Sequence, residues 1–148
     1  MHTPSAPTAQ MIFAEMLRTE IAPNLRAMGF KGSGSTYVLQ NDERWMFVGF
    51  QKNRYSTSEA VFFTVNLSVA GKASWAARRA RAPWLPPRPT FPVGSSIRLG
   101  PITKAFGYDK WWEVAPGSPS NTAAAAEVLA AIADAGLPWL RSAPLGAA

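Results

Sequence analysis

Histidine is the commonest acid–base residue and a frequent metal ligand, and this chain carries a single one, His2. Its place in a leader-like segment excludes a His-dependent triad, a His-metal centre and a His phosphodiesterase. With no cysteine there is no thiol nucleophile, zinc-thiolate site or disulfide framework. Gly32-Ser33-Gly34 is glycine-rich but follows a predicted helix and precedes a predicted strand. A phosphate loop needs the reverse order, so that a helix N-terminus faces the anion; the segment reads as a turn. Carboxylates remain. Asp109 and Glu113 share one side of a predicted strand, but that spacing sets their Cα atoms on the order of 13 Å apart, too far to act together on one bond. Glu15 and Glu20 read as the exposed side of a helix.

Recognition chemistry is better represented. Trp111 and Trp112 are adjacent, and neighbouring strand residues point to opposite faces. Trp112 and Val114 then suit the core, which leaves Trp111 on the other face. If that face is open, Gln51, Thr64, Asn66 and Arg98 join Trp111 there, an aromatic platform with amide, hydroxyl and guanidinium groups around it. A second set, Lys72, Arg78, Arg79, Arg81 and Arg88, lies near Trp75 and Trp84 with no acidic residue among them. Basic residues interleaved with indoles suit nucleic acid, although no helix-turn-helix, RNA-recognition or zinc-finger pattern accompanies them. Pro86-Pro87-Arg88-Pro89 reads as a stiff connector.

These residues need elements to position them. Phe13, Met16, Leu17, Ile21, Leu25 and Met28 recur at helical spacing and predict a helix over 9–28, kinked or restarted at Pro23 and closed by Gly29. Residues 31–35 predict a flexible turn. Strands are predicted at 36–40, 44–52, 60–70, 95–102 and 110–114. The third alternates most clearly, with Val61, Phe63, Val65, Leu67 and Val69 on one face. The segment 71–92 predicts a basic, proline-rich crossover holding a short helix over 74–82. A last helix is predicted over 121–135, capped by Ser120 or Asn121 and stopped by Gly136 and Pro138. The order argues for an α+β fold: an antiparallel sheet of about five strands with N- and C-terminal helices packed on one face.

The chain has 148 residues, 47% of them hydrophobic, enough for one domain with a sizeable core. The expected division is a disordered leader over 1–8, one domain over 9–140 and a flexible tail over 141–148. Net charge is +6, from 15 Lys+Arg against 9 Asp+Glu, which fits an anionic partner or simply a composition rich in Ala, Pro and Arg. No sequence run reaches the roughly 18–20 apolar residues that span a bilayer, and no secretory pattern opens the chain. A cytoplasmic location without membrane contact is expected.

Leu25-Arg26-Ala27-Met28-Gly29-Phe30-Lys31, Trp45 with Phe50-Gln51-Lys52, Phe63-Thr64-Val65-Asn66-Leu67, Ile97-Arg98-Leu99, Lys110-Trp111-Trp112 and Gly136-Leu137-Pro138 occur in that order. Together they resemble the bacterial domain-of-unknown-function family 4304, over about residues 17–140. The resemblance implies a compact α+β domain and no assigned activity, substrate or catalytic residue. Residues 75–92 fit its pattern least.

The expectation drawn from the residues is a non-enzymatic binding module that needs no cofactor and no metal. It would contact a protein partner through Gln51, Thr64, Asn66, Arg98 and Trp111. The alternatives are nucleic-acid binding through Lys72, Arg78, Arg79, Arg81 and Arg88, or a small-molecule protein or enzyme using carboxylate, Tyr or Lys groups. Oligomeric state is not legible.

Overall fold

A computed structural model describes residues 6–90 and 94–145; parts of the expected leader and tail, residues 1–5 and 146–148, lie outside them. The fold is α+β with an antiparallel sheet as expected; among the described residues the sheet has six strands, five of them in one path and a sixth off it. These are β1 (Lys31–Ser33), β2 (Thr36–Gln40), β3 (Arg44–Lys52), β4 (Val61–Gly71), β5 (Ser96–Arg98) and β6 (Trp112–Val114). β1 to β4 form a meander, and β5 and β6 both pair with the outer edge of β4. β5 lies along Asn66–Ser68 and β6 along Val61–Phe63, end to end on the long strand.

Several boundaries differ from the sequence reading. The expected turn at 31–35 contains β1, three residues whose register pairs Lys31 with Val38 and Ser33 with Thr36; so short a strand carries no alternation to read. The expected strand over 95–102 ends at Arg98, and Leu99–Ile102 forms one helical turn. The strand expected over 110–114 begins only at Trp112. The short basic helix runs Lys72–Arg81 rather than 74–82.

Both terminal helices are longer than a plain reading of their prolines allows. The first runs through Ala9–Met16, a π turn at Leu17–Ile21, and Ala22–Ala27. The last runs without a break over Asn121–Ser142, with a π turn at Ile132–Gly136, so neither Gly136 nor Pro138 stops it. In both, the backbone bond widens to five residues: the Ala22 N–H reaches the Leu17 carbonyl and the Leu137 N–H reaches that of Ile132. Proline follows at once, at Pro23 and Pro138. Proline has no N–H to give and its ring collides with the carbonyl four residues back. Widening the preceding turn relieves that conflict. The expected side-chain cap at the start of the last helix is not made: Ser120 stands at the cap position without a capping bond, and the Asn121 amide binds the backbone N–H and carbonyl of Ala115.

At 22 residues and a mean hydropathy of 1.4 over its most apolar window, the last helix also has the length and composition to cross a bilayer, which breaking it at Gly136 had concealed. Its stripe of Ala125, Val128, Ile132 and Leu140 is buried in the core. The two terminal helices share that core with one sheet face: Phe13, Ile21 and Leu25 from the first helix meet Val48, Val61, Phe63, Val65, Leu67 and Val69. Phe63 packs between Phe13, at 4.8 Å between ring centroids, and Trp112, at 5.8 Å. On the opposite face, Trp75 of the basic helix joins Val38, Trp45 and Ala70 in a second, smaller cluster at one end.

Candidate functional site

Alternation along the strands sends every second residue of β2, β3 and β4 away from the main core, and the register stacks them in rows. Gln40, Trp45 and Ala70 form the row under the basic helix; Val38, Phe47 and Ser68 form the next; Thr36, Gly49 and Asn66 the third; Gln51 and Thr64 the fourth. β1 extends the second row with Lys31 and the third with Ser33, while β5 adds Ser96 and Arg98 at the far side.

The two indoles part at the start of β6, with Trp111 just outside the strand. Trp112 is 2% exposed in the core and its Nε1 donates to Glu127 at 3.1 Å. Trp111 is half-buried on the other side. The Arg98 guanidinium lies 5.1 Å from its ring centroid and donates from one nitrogen to both carboxylate oxygens of Asp109, at 3.0 and 3.1 Å. The Trp111 indole N–H donates to Asp109 as well, at 3.3 Å. In the same row as Arg98, the Asn66 amide donates to Gln51 of the next row at 2.8 Å. Thr64 belongs to the same face but is fully buried, and its hydroxyl donates to the Lys110 carbonyl at 2.9 Å. It holds the loop that carries Trp111 and presents nothing outward.

Several members of the basic set make local contacts. Lys72 donates to Gln40 at 2.7 Å and lies 5.5 Å from the Trp45 ring centroid. Arg78 lies over Trp75 at 5.9 Å, and Arg79 donates to the Leu85 carbonyl at 3.3 Å. Arg81 is exposed at the helix end. Arg88 lies in the segment that follows the basic helix. There the Trp75 indole donates to the Pro86 carbonyl at 3.0 Å, fastening that segment down. Among the described residues no group of three or more His, Cys, Asp or Glu side chains could hold a metal ion.

Beside the Arg98–Trp111 cluster the same face hollows into a cleft of about 600 Å³. Its floor is Val38, Phe47, Gly49 and Ser68, and Arg88, Pro89 and Thr90 stand against it. Tyr37, at the floor's underside, is fully buried, and its hydroxyl donates to the Gly34 carbonyl at 2.9 Å. Burial raises the Tyr37 pKa above the ordinary 10.0, partly opposed by the positive charge of Arg26. The sequence reading missed this cleft. Its one signal was Gly49, an isolated glycine within an apolar strand, which marks a bulge or a bare patch of sheet. Asp109, tested only as a catalytic acid, is the counter-ion that holds Arg98 against Trp111.

The profile of the family described as domain of unknown function (DUF4304) matches residues 21–142, and the chain belongs to that family. No curated protein and no solved structure matches it.

Proposed function

We propose that this member of the DUF4304 family is a non-enzymatic binding module that contacts another protein through the sheet face around Gln51, Asn66, Arg98 and Trp111. The observation that carries the reading is the Arg98–Asp109–Trp111 cluster. A Trp and an Arg, the side chains most enriched where binding energy concentrates, are held in one orientation by a shared carboxylate. Side chains ordered before contact lose little entropy when a partner arrives. The Asn66–Gln51 pair next to them still has amide groups free to accept and donate. The face is on the side of the sheet away from the core that both terminal helices share, and the basic helix packs at its other end.

Capture from lysate by immobilised protein, read by mass spectrometry, tests this reading. Trp111→Ala and Arg98→Ala are expected to lose a partner that the unmodified chain retains, with the thermal midpoint moving by no more than about 4 °C. Retention of the same partner by both variants would remove the reading. Unfolding of Trp111→Ala would instead make that indole a structural residue. The alternative through Lys72, Arg78, Arg79, Arg81 and Arg88 predicts nucleic-acid binding that falls steeply with salt, and a labelled oligonucleotide at low salt checks it in the same preparation.

A further inference from the structure

Two features of the cleft beside that cluster bear on what it could hold. Among the described residues its charged lining side chains are Lys31 and Arg88, contributed by the β1 edge and by the segment after the basic helix. Among the described residues neither has a carboxylate partner. Its floor, in contrast, is mostly apolar: Val38 and Phe47 lie side by side next to Ser68, and Pro89 stands against them. Next to Phe47's row, Gly49 leaves the sheet bare. A Cβ built there would meet nothing nearer than the Ser35 carbonyl at 3.9 Å and the Asn66 carbonyl at 4.0 Å. The volume, about 600 Å³, lies within the range of small-molecule sites.

We propose that this cleft binds a small amphipathic anion, with a flat apolar body against Phe47, Val38 and Pro89 and an acidic group met by Lys31 and Arg88. Charge complementarity selects the acid: two cations without counter-ions share one concavity of a chain whose net charge is +6. Shape selects the body. The bare strand at Gly49 lets a planar group lie on the peptide plane, where any larger side chain would hold it off. The site shares Asn66 with the protein-binding face, but neither Arg98 nor Trp111 lines it, so the two readings can be tested apart.

The test uses the folded chain with 8-anilinonaphthalene-1-sulfonate, an aromatic sulfonate whose fluorescence rises on leaving water. One saturable site per chain is expected. Its affinity should fall about tenfold or more in Gly49→Leu and several-fold in Lys31→Ala and in Arg88→Glu. Raising salt from about 50 to 500 mM should weaken it. The uncharged analogue N-phenyl-1-naphthylamine should bind at least about tenfold more weakly. Displacement by 1-naphthoate or by 1-naphthyl phosphate then supports the site and tells which acid it prefers. Trp111→Ala should leave the affinity unchanged, so that failure here and failure of the protein-binding reading are separable. Arg88→Glu, on an exposed segment, decides the matter even if leucine at position 49 perturbs folding. Unchanged affinity in Arg88→Glu, equal binding of the uncharged analogue, or displacement by neither acid would overturn the proposal.

Discussion

Tyr37 shows how one side chain links the core to pH. Its ring is sealed in the main cluster, while its hydroxyl finds a single acceptor, the Gly34 carbonyl. Burial favours the neutral phenol, so the folded-state pKa lies above the ordinary value of 10.0. Unfolded chains therefore release this proton first as pH rises. The stabilisation from keeping Tyr37 neutral is complete below about pH 10 and is lost as pH climbs from there toward the raised folded value. Tyr37→Phe should cost about 1 kcal/mol at pH 8 through the missing hydrogen bond. That deficit should shrink above pH 10, because phenylalanine has no proton to lose; urea unfolding at pH 8 and pH 10.5 checks both arms. Thr64 teaches the complementary point. On alternation alone it is equivalent to Asn66, yet its hydroxyl is consumed by the Lys110 carbonyl.

At the scale of elements, two glycines that look alike in sequence do opposite things. Gly29 has φ +103 and closes the first helix: its N–H bonds the Arg26 carbonyl and the Phe30 N–H bonds that of Leu25, a paired cap that needs a left-handed residue. Gly136 has φ −64 and lies inside the last helix, where a Cβ would come 3.4 Å from Leu99 and 3.6 Å from Leu67, ordinary contact distances. Gly29→Ala should therefore destabilise by about 1 kcal/mol, since L side chains resist that conformation. Gly136→Ala should stabilise by up to about 1 kcal/mol through helix propensity. Thermal or urea unfolding of the two variants gives opposite signs if the last helix is continuous. A loss in both would mean that Gly136 ends a helix after all. The π turns before Pro23 and Pro138 explain why that continuity was hard to read, because a proline near a glycine is otherwise a stop signal.

Across the whole molecule, the C-terminal segment is tied to the sheet by one buried cation. Arg44, at the start of β3, is 6% exposed and donates from the same nitrogen to the Leu140 carbonyl at 3.1 Å and the Ala143 carbonyl at 2.8 Å. These are acceptors that the end of a helix leaves without partners. Beyond them Ala143 is buried and Leu145 packs on the core, so the chain expected to fray from residue 141 is held at least that far. Arg44→Met should lower the unfolding free energy by about 2–3 kcal/mol, the scale of charged hydrogen bonds left unmade in the interior. Because both terminal helices share one core with the sheet, far-ultraviolet and tryptophan signals should still move in a single transition. Two separated transitions would show that the last helix is a dispensable addition.

Local rules carried much of this protein. Alternation from Val61 to Val69 defined β4 and its buried face, and helical spacing from Phe13 to Leu25 defined the first helix. Each follows from backbone geometry over a few residues, which a sequence displays directly. The partners of those residues were not displayed. That Asp109 anchors Arg98 on Trp111, that Lys31 and Arg88 come to one cleft, and that Gly136 is packed rather than terminal all depend on register and on contacts between distant segments. Such contacts are selected by the fit of the whole core, so their energetics exist only once the chain has closed on itself.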